Sequence, residues 1–215
     1  MKKGCILCLL ISVISLPLIA QNIIYSNLKE LLAQHGDTTA VLRVEKRSRN
    51  QIVLTGGADY RITAGDDELM CRRLKKRCFA VRDEKGDLYL NCRKLRYKKL
   101  RFGAWYAPAV QLGKNIYFCA MPLGSVIGGN FVEEDDVKLG GNIGDALAAS
   151  SLVTKRVCYE LNGETGKIDF VGKEKMAQLL EKHPDWKKAY LTKDSQEAKH
   201  TFKYLQMLCG EQQKE

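Results

Sequence analysis

Three pairs of short apolar runs, each joined by a few turn-forming residues, restrict this chain to a sheet assembled from hairpins. Tyr106 to Leu112 and Asn115 to Met121 face each other across Gly113-Lys114. Thr154 to Leu161 and Lys167 to Val171 flank Asn162-Gly-Glu-Thr-Gly166, and Phe79-Ala-Val81 and Leu88-Tyr-Leu90 flank Asp83-Glu-Lys-Gly86. Gly, Asn and Asp supply the backbone freedom and local hydrogen bonds that such reversals need. In the last pair, a four-residue loop pairs Val81 with Leu88 and Phe79 with Leu90. That register sets Cys92 opposite Arg77 and puts Cys78 on the other face. A one-residue slip brings Cys78 opposite Cys92 but separates the apolar pairs. Because a slip exchanges the two faces of a strand, the core argument weighs against a Cys78–Cys92 bridge. Val41 to Lys46 and Gln51 to Thr55 read as a further hairpin across Arg47-Ser-Arg-Asn50, with Tyr60 to Thr63 as a third strand.

Helical periodicity appears only around these runs. Asn27-Leu-Lys-Glu30 has the capping-box form ahead of Leu28, Leu31 and Leu32, with Gly36 as the stop. Asp66 caps a basic stretch, Glu68 to Lys76, that carries Leu69, Met70 and Leu74 at helical spacing. Two helices close the chain. Lys173 to Lys182 gathers Met176, Leu179 and Leu180 and ends before Pro184. Ser195 to Cys209 opens on Asp194-Ser-Gln-Glu197 and carries Phe202, Leu205, Leu208 and Cys209 on one stripe. Strands bracketed by helices, without βαβ alternation, predict an α+β fold. Its mainly antiparallel sheet is built from hairpins, with a short N-terminal helix and two C-terminal helices. Residues 21–215 suit one domain, with a glycine-rich loop at about 122–144.

The first twenty residues are set apart from that domain. Lys2 and Lys3 precede an apolar run from Gly4 to Leu16, and Pro17-Leu-Ile-Ala20 supplies a break and a small residue. This is the pattern of a secretory signal peptide, which predicts export and a mature chain from Gln21. Removing Lys2 and Lys3 leaves 33 basic against 25 acidic residues, a net charge of +8. Six cysteines remain: Cys71, Cys78, Cys92, Cys119, Cys158 and Cys209. Outside the cytosol these permit disulfides, with the pairing open. No later stretch is apolar for long enough to span a membrane.

The positive charge is concentrated. Cys71 to Arg101 holds 13 Lys or Arg against Asp83, Glu84 and Asp87. Its densest part interleaves Arg93, Lys94, Arg96, Lys98, Lys99 and Arg101 with Leu95, Tyr97, Leu100 and Phe102. The six cations are the candidate anion-binding residues, since guanidinium forks and ammonium charges hold phosphate or carboxylate. The interleaved aromatics could lie against sugars, acyl chains or bases. Export makes nucleic acid a poor partner and favours anionic lipid, lipopolysaccharide or acidic glycan. The plainer alternative is a sheet edge that lysine and arginine protect from pairing with another sheet.

Other chemistry is weakly marked. Gly163-Glu-Thr-Gly-Lys167 ends like a phosphate-binding loop, but Ile168 replaces the hydroxyl residue, and a hairpin turn explains it better. Gly124 and Ser125 fail the Gly-x-Ser-x-Gly pattern of a nucleophile elbow. His35, His183 and His200 have no metal-ligand spacing, and His183 reads as a favourable contact with a helix C-terminus. Glu133-Glu-Asp-Asp136 lacks the alternation of a calcium loop. Gly124 with Gly128, and Gly140 with Gly144 and Ala148, place small residues at every fourth position, more simply a glycine-rich loop than a helix-packing stripe. No metal, cofactor or catalytic residue is indicated.

Several phrases occur together: Tyr89-Leu-Asn-Cys-Arg-Lys-Leu-Arg-Tyr97, Phe102-Gly-Ala-Trp-Tyr106, Pro122-Leu-Gly-Ser125, Arg156-Val-Cys-Tyr-Glu-Leu161 and Phe170-Val-Gly-Lys-Glu-Lys175. They resemble an uncharacterised family of exported proteins of Bacteroidetes, a domain of unknown function. The resemblance implies a Gram-negative periplasm or outer envelope and carries no activity. The leading expectation is a non-enzymatic envelope protein that binds an anionic or membrane-surface partner. The alternatives are a cell-wall or glycan hydrolase, needing two carboxylates beside a cleft, and a structural subunit that docks an acidic protein.

Overall fold

The computed structural model describes residues 21–39, 41–48, 50–52, 57–98, 100–120, 156–192 and 198–212. The signal segment, the glycine-rich loop, the acidic run, Lys99 and the capping box at 194–197 lie outside these residues. Among the described residues the strands are β1 (Asn22–Tyr25), β2 (Asp37–Thr39), β3 (Arg43–Lys46), β4 (Tyr60–Thr63), β5 (Ala80–Arg82) and β6 (Leu88–Asn91). They continue as β7 (Arg96–Tyr97), β8 (Leu100–Arg101), β9 (Tyr106–Leu112), β10 (Asn115–Ala120), β11 (Val157–Leu161) and β12 (Ile168–Phe170). The helices are α1 (Leu28–Leu32), α2 (Glu68–Lys76), α3 (Lys173–Leu179), α4 (Pro184–Thr192) and α5 (Ala198–Gln212). The fold is α+β. Its main sheet runs β12-β11-β10-β9-β6-β5-β1-β2, every pair antiparallel, and β4 joins β9 and carries β3. β7 and β8 form a separate two-stranded ribbon.

The hairpins around 113–114 and 162–166 are as the turn residues predict. Several local expectations are corrected. The β5–β6 register is Ala80↔Leu90, Val81↔Tyr89 and Arg82↔Leu88, one residue away from that expected. Asp87 joins the loop and Asp83 braces the longer turn: its Oδ1 accepts from the N–H groups of Lys85 (3.0 Å) and Asp87 (2.9 Å), and its carbonyl from Gly86 (2.9 Å). The expected partner of β3 is also different. Residues 50–52 are helical, and β3 pairs with β4 instead. At the N-terminal end, Asn27 caps α1 as expected, but Gln34 takes the left-handed position (φ 52°). Gly36 is required for another reason. A Cβ there would sit 2.6 Å from the Ile23 side chain and 2.7 Å from the Ile24 carbonyl. Asp67 rather than Asp66 caps α2, and α4 is an additional helix that begins at Pro184, a favourable first helical residue.

Both faces of the sheet are covered, and this organises the molecule. One face carries Leu88, Leu90, Ala107, Ala109, Phe118, Val157 and Tyr159 against α1, the ribbon and Phe102. There Phe102 meets Tyr159 edge-to-face at 4.7 Å and Phe118 at 5.4 Å. The opposite face is covered in two separate places. Val110, Leu112, Tyr117 and Cys119 lie under α3, α4 and α5, while Ile24, Val81, Tyr89 and Tyr106 lie under α2 and β4.

Candidate functional site

The basic segment divides in the fold. Leu95, Tyr97 and Phe102 are core residues, so the aromatics are not available to a ligand as the interleaving suggested. Arg93, Lys94, Arg96, Lys98 and Arg101 are exposed. Arg96 and Arg101 are directly opposed across the β7–β8 ribbon, which puts two guanidinium groups on one face. Like charges so placed repel each other. Among the described residues neither has a carboxylate partner. Lys98 turns the ribbon at φ 53°, with its ammonium 5.5 Å from the centre of the Tyr97 ring.

Asn91 ties this segment to a second set of cations. Its buried amide donates to the carbonyls of Leu74 (3.1 Å) and Cys78 (2.9 Å), and its Oδ1 accepts from the Arg93 N–H (3.1 Å). The end of α2 is thereby held against the 3₁₀ turn Cys92–Lys94. Lys76, Arg77, Arg93 and Lys94 line a hollow of about 30 Å³ between them. The sequence marks the whole segment Cys71 to Arg101 as basic, but its six candidate anion-binding residues lie between Arg93 and Arg101 and leave out Lys76 and Arg77. Their charge also suits a helix C-terminus, which hides its relevance to a surface built with another segment.

A larger groove crosses the opposite face where the two coverings do not meet. It has a volume of about 930 Å³. Tyr89 and Pro108 form its floor, Tyr60 and Asp59 one wall, and Lys199, Phe202 and Gln206 of α5 the other. Pro108 helps to open it. In a two-residue hairpin the hydrogen-bonded pairs fall at alternate positions, and the next after 110/117 would need a Pro108 N–H that does not exist. The β9–β10 ladder ends there, and Tyr106 pairs with Tyr60 of β4.

An ion pair between Arg156 and Asp59 spans this fork in the sheet. Asp59 is buried, and desolvation raises its pKa above the ordinary carboxylate value, against the opposing pull of Arg156, Lys46 and Arg47. Burial, then the charges of Asp59 and Asp87, raise the Tyr60 phenol. Arg47 is anchored by donating to the carbonyls of Ala58 (2.7 Å) and Gln51 (3.0 Å), with its guanidinium 5.3 Å from the centre of the Trp105 ring.

The remaining reactive groups are structural. Cys119 and Cys158, directly opposed in β10 and β11, form a disulfide. Cys78 and Cys92 are unbridged and belong to different faces, because Cys92 leaves its strand for the 3₁₀ turn. Burial pushes the Cys78 thiol up to about 11, far from a reactive thiolate. Glu160, also buried, accepts from Tyr117 (2.7 Å) and Asn115 (2.7 Å) and lies 2.8 Å from the Lys175 ammonium. His183 precedes α4, stacks on Trp186 at 4.5 Å and sits 3.1 Å from Glu211; His200 stacks on Tyr190 at 5.3 Å. The 163–167 motif is a turn in which Asn162 Oδ1 accepts from Glu164 and Thr165. Among the described residues no group of His, Cys, Asp and Glu could hold a metal, and no helix is long and apolar enough to cross a membrane.

No curated protein and no solved structure matches the chain. A family model does, over residues 23–212, which takes in both the hollow and the groove. The chain belongs to the family of unknown function DUF6563.

Proposed function

We propose that this is an exported, non-enzymatic protein of a Gram-negative cell envelope that binds an anionic surface through its basic ribbon and hollow. The observation that carries the reading is the meeting of Lys76 and Arg77 with Arg93 and Lys94, beside the opposed Arg96 and Arg101. Cations held together on exposed elements repel, and an anion relieves that repulsion. Anionic lipid headgroups, lipopolysaccharide and acidic glycans share the required chemistry, and each Lys or Arg near an anionic membrane contributes about 1 kcal/mol. The Cys119–Cys158 bridge supports an oxidising compartment. The family match begins two residues past the expected cleavage point, which agrees with a separate leader. The hydrolase alternative has weaker support: two carboxylates, Asp59 and Asp87, line the groove, but Asp59 is buried and already paired with Arg156.

Sedimentation with phosphatidylglycerol vesicles, phosphatidylcholine vesicles and lipopolysaccharide at physiological salt tests the reading. Binding to the anionic samples alone is expected, and it should be lost when Arg93, Lys94, Arg96, Lys98, Lys99 and Arg101 are changed to Gln. Equal binding by that variant overturns it.

A further inference from the structure

We propose that the groove across β6 and β9 is a second, independent binding site, and that its ligand is an acidic sugar. Four observations converge on it. The groove, at about 930 Å³, has the capacity of a site for a ligand of a few rings. One wall presents the half-buried Tyr60 ring, which meets the largely buried Tyr89 ring edge-to-face at 5.1 Å, and Phe202 lines the other wall from α5. Aromatic bodies with polar tips suit a ring that has both C–H faces and hydroxyls. Lys46, Lys85 and Lys199 stand exposed on the rim; none is within ion-pair distance of a carboxylate among the described residues, although Lys46 lies close enough to Asp59 to act on it electrostatically. Finally, the Arg156 Nε is buried and donates to no acceptor among the described residues, while another nitrogen of the same guanidinium pairs with Asp59; the groove's cations (Lys46, Arg82, Lys85, Arg156 and Lys199) outnumber its carboxylates, Asp59 and Asp87. A buried donor without an acceptor is costly, and a ligand carboxylate would satisfy it.

Other occupants fit less well. A peptide strand needs a free sheet edge, yet β6 and β9 each have partners on both sides. An acyl chain needs a continuous apolar floor, and the phenols, Gln111, Gln206 and Lys199 interrupt this one.

The test is calorimetric titration of the full mature chain with a short oligogalacturonate and with a neutral galacto-oligosaccharide of the same length. The acidic ligand should bind at least about tenfold more tightly, the ratio expected when charge-assisted hydrogen bonds are lost. The double variant Lys46→Gln, Lys199→Gln should weaken it by about tenfold, and Phe202→Ala should weaken both ligands. All three positions lie on the rim or wall, and a thermal melt alongside each titration reports folding. Absence of binding, equal affinity for the neutral ligand, or indifference to these changes overturns the proposal. Binding that instead disappears when Arg93 to Arg101 are neutralised assigns the sugar to the basic ribbon and also overturns it.

Discussion

Asp59 shows how a residue with no sequence signal becomes a buried charge where distant segments meet. It follows Gly56-Gly57-Ala58 in what reads as a turn, yet it is buried at the sheet fork and closed over by Arg156, almost a hundred residues away. Removing that partner leaves a buried charge with only the weaker pull of Lys46 and Arg47. Arg156→Gln should therefore cost about 3–5 kcal/mol in urea denaturation, and Asp59→Asn in the same chain should restore part of it. The pH dependence has a definite sign. Because the folded-state pKa of Asp59 is raised above the usual 3.8, its contribution is complete below that value and is lost as pH rises through the folded value. The melting temperature of Asp59→Asn relative to wild type should rise as pH is raised above the ordinary Asp value of 3.8, and a falling difference contradicts the account. Gly163 and Gly86 make a second residue-scale contrast. A Cβ on Gly163 would lie 1.8 Å from the Lys114 carbonyl, whereas Gly86, at φ 85°, faces open space. Gly86→Ala should cost about 1 kcal/mol from backbone strain alone, and Gly163→Ala clearly more. Equal losses in denaturant titrations would show that the close approach between the two hairpin turns does not matter.

At the scale of elements, turn chemistry was legible and register was not. Gly113-Lys114 and Asn162 to Gly166 identify their hairpins because those turns demand particular residues. The β5–β6 register was misread through a sound rule applied to the wrong case. A slip exposes apolar side chains only when one face is wet, and here every residue of β6 is buried. With both faces apolar, the pattern does not choose, and the Asp83 loop does. The β3 pairing failed for a related reason: β4 lies farther along the chain than the next apolar run, and tertiary packing gave Gln51 and Ile52 to a helical turn. Within the basic segment, alternating charge and aromatic residues reads as a binding strip or as a sheet edge guarded by lysine and arginine. The burial of Leu95, Tyr97 and Phe102 withdraws the aromatics and leaves the cations alone as the surface.

At the scale of the molecule, the disulfide joins strands whose connecting segment is long. Cys119 and Cys158 are 39 residues apart, and closing a loop of that size in the unfolded chain corresponds to about 4 kcal/mol. Cys119→Ser with Cys158→Ser should lower unfolding stability by roughly 3–4 kcal/mol. A reductant should destabilise the wild type and leave this variant unchanged; a loss under 1 kcal/mol would contradict the closure argument. Cys78 and Cys92 should stay unreactive to thiol reagents until the protein unfolds.

Local composition was enough to determine the class of fold, the hairpin turns at 113–114 and 162–166, the cap of α1 and the position of the charge, because each depends on residues within a few places of one another. The fork at Pro108, the ion pair across it, the hollow that joins α2 to the 3₁₀ turn and the groove between two coverings belong to the tertiary structure alone. Each brings together side chains from distant segments, and covering both sheet faces removes the polar–apolar alternation by which a sequence announces which side chains will meet.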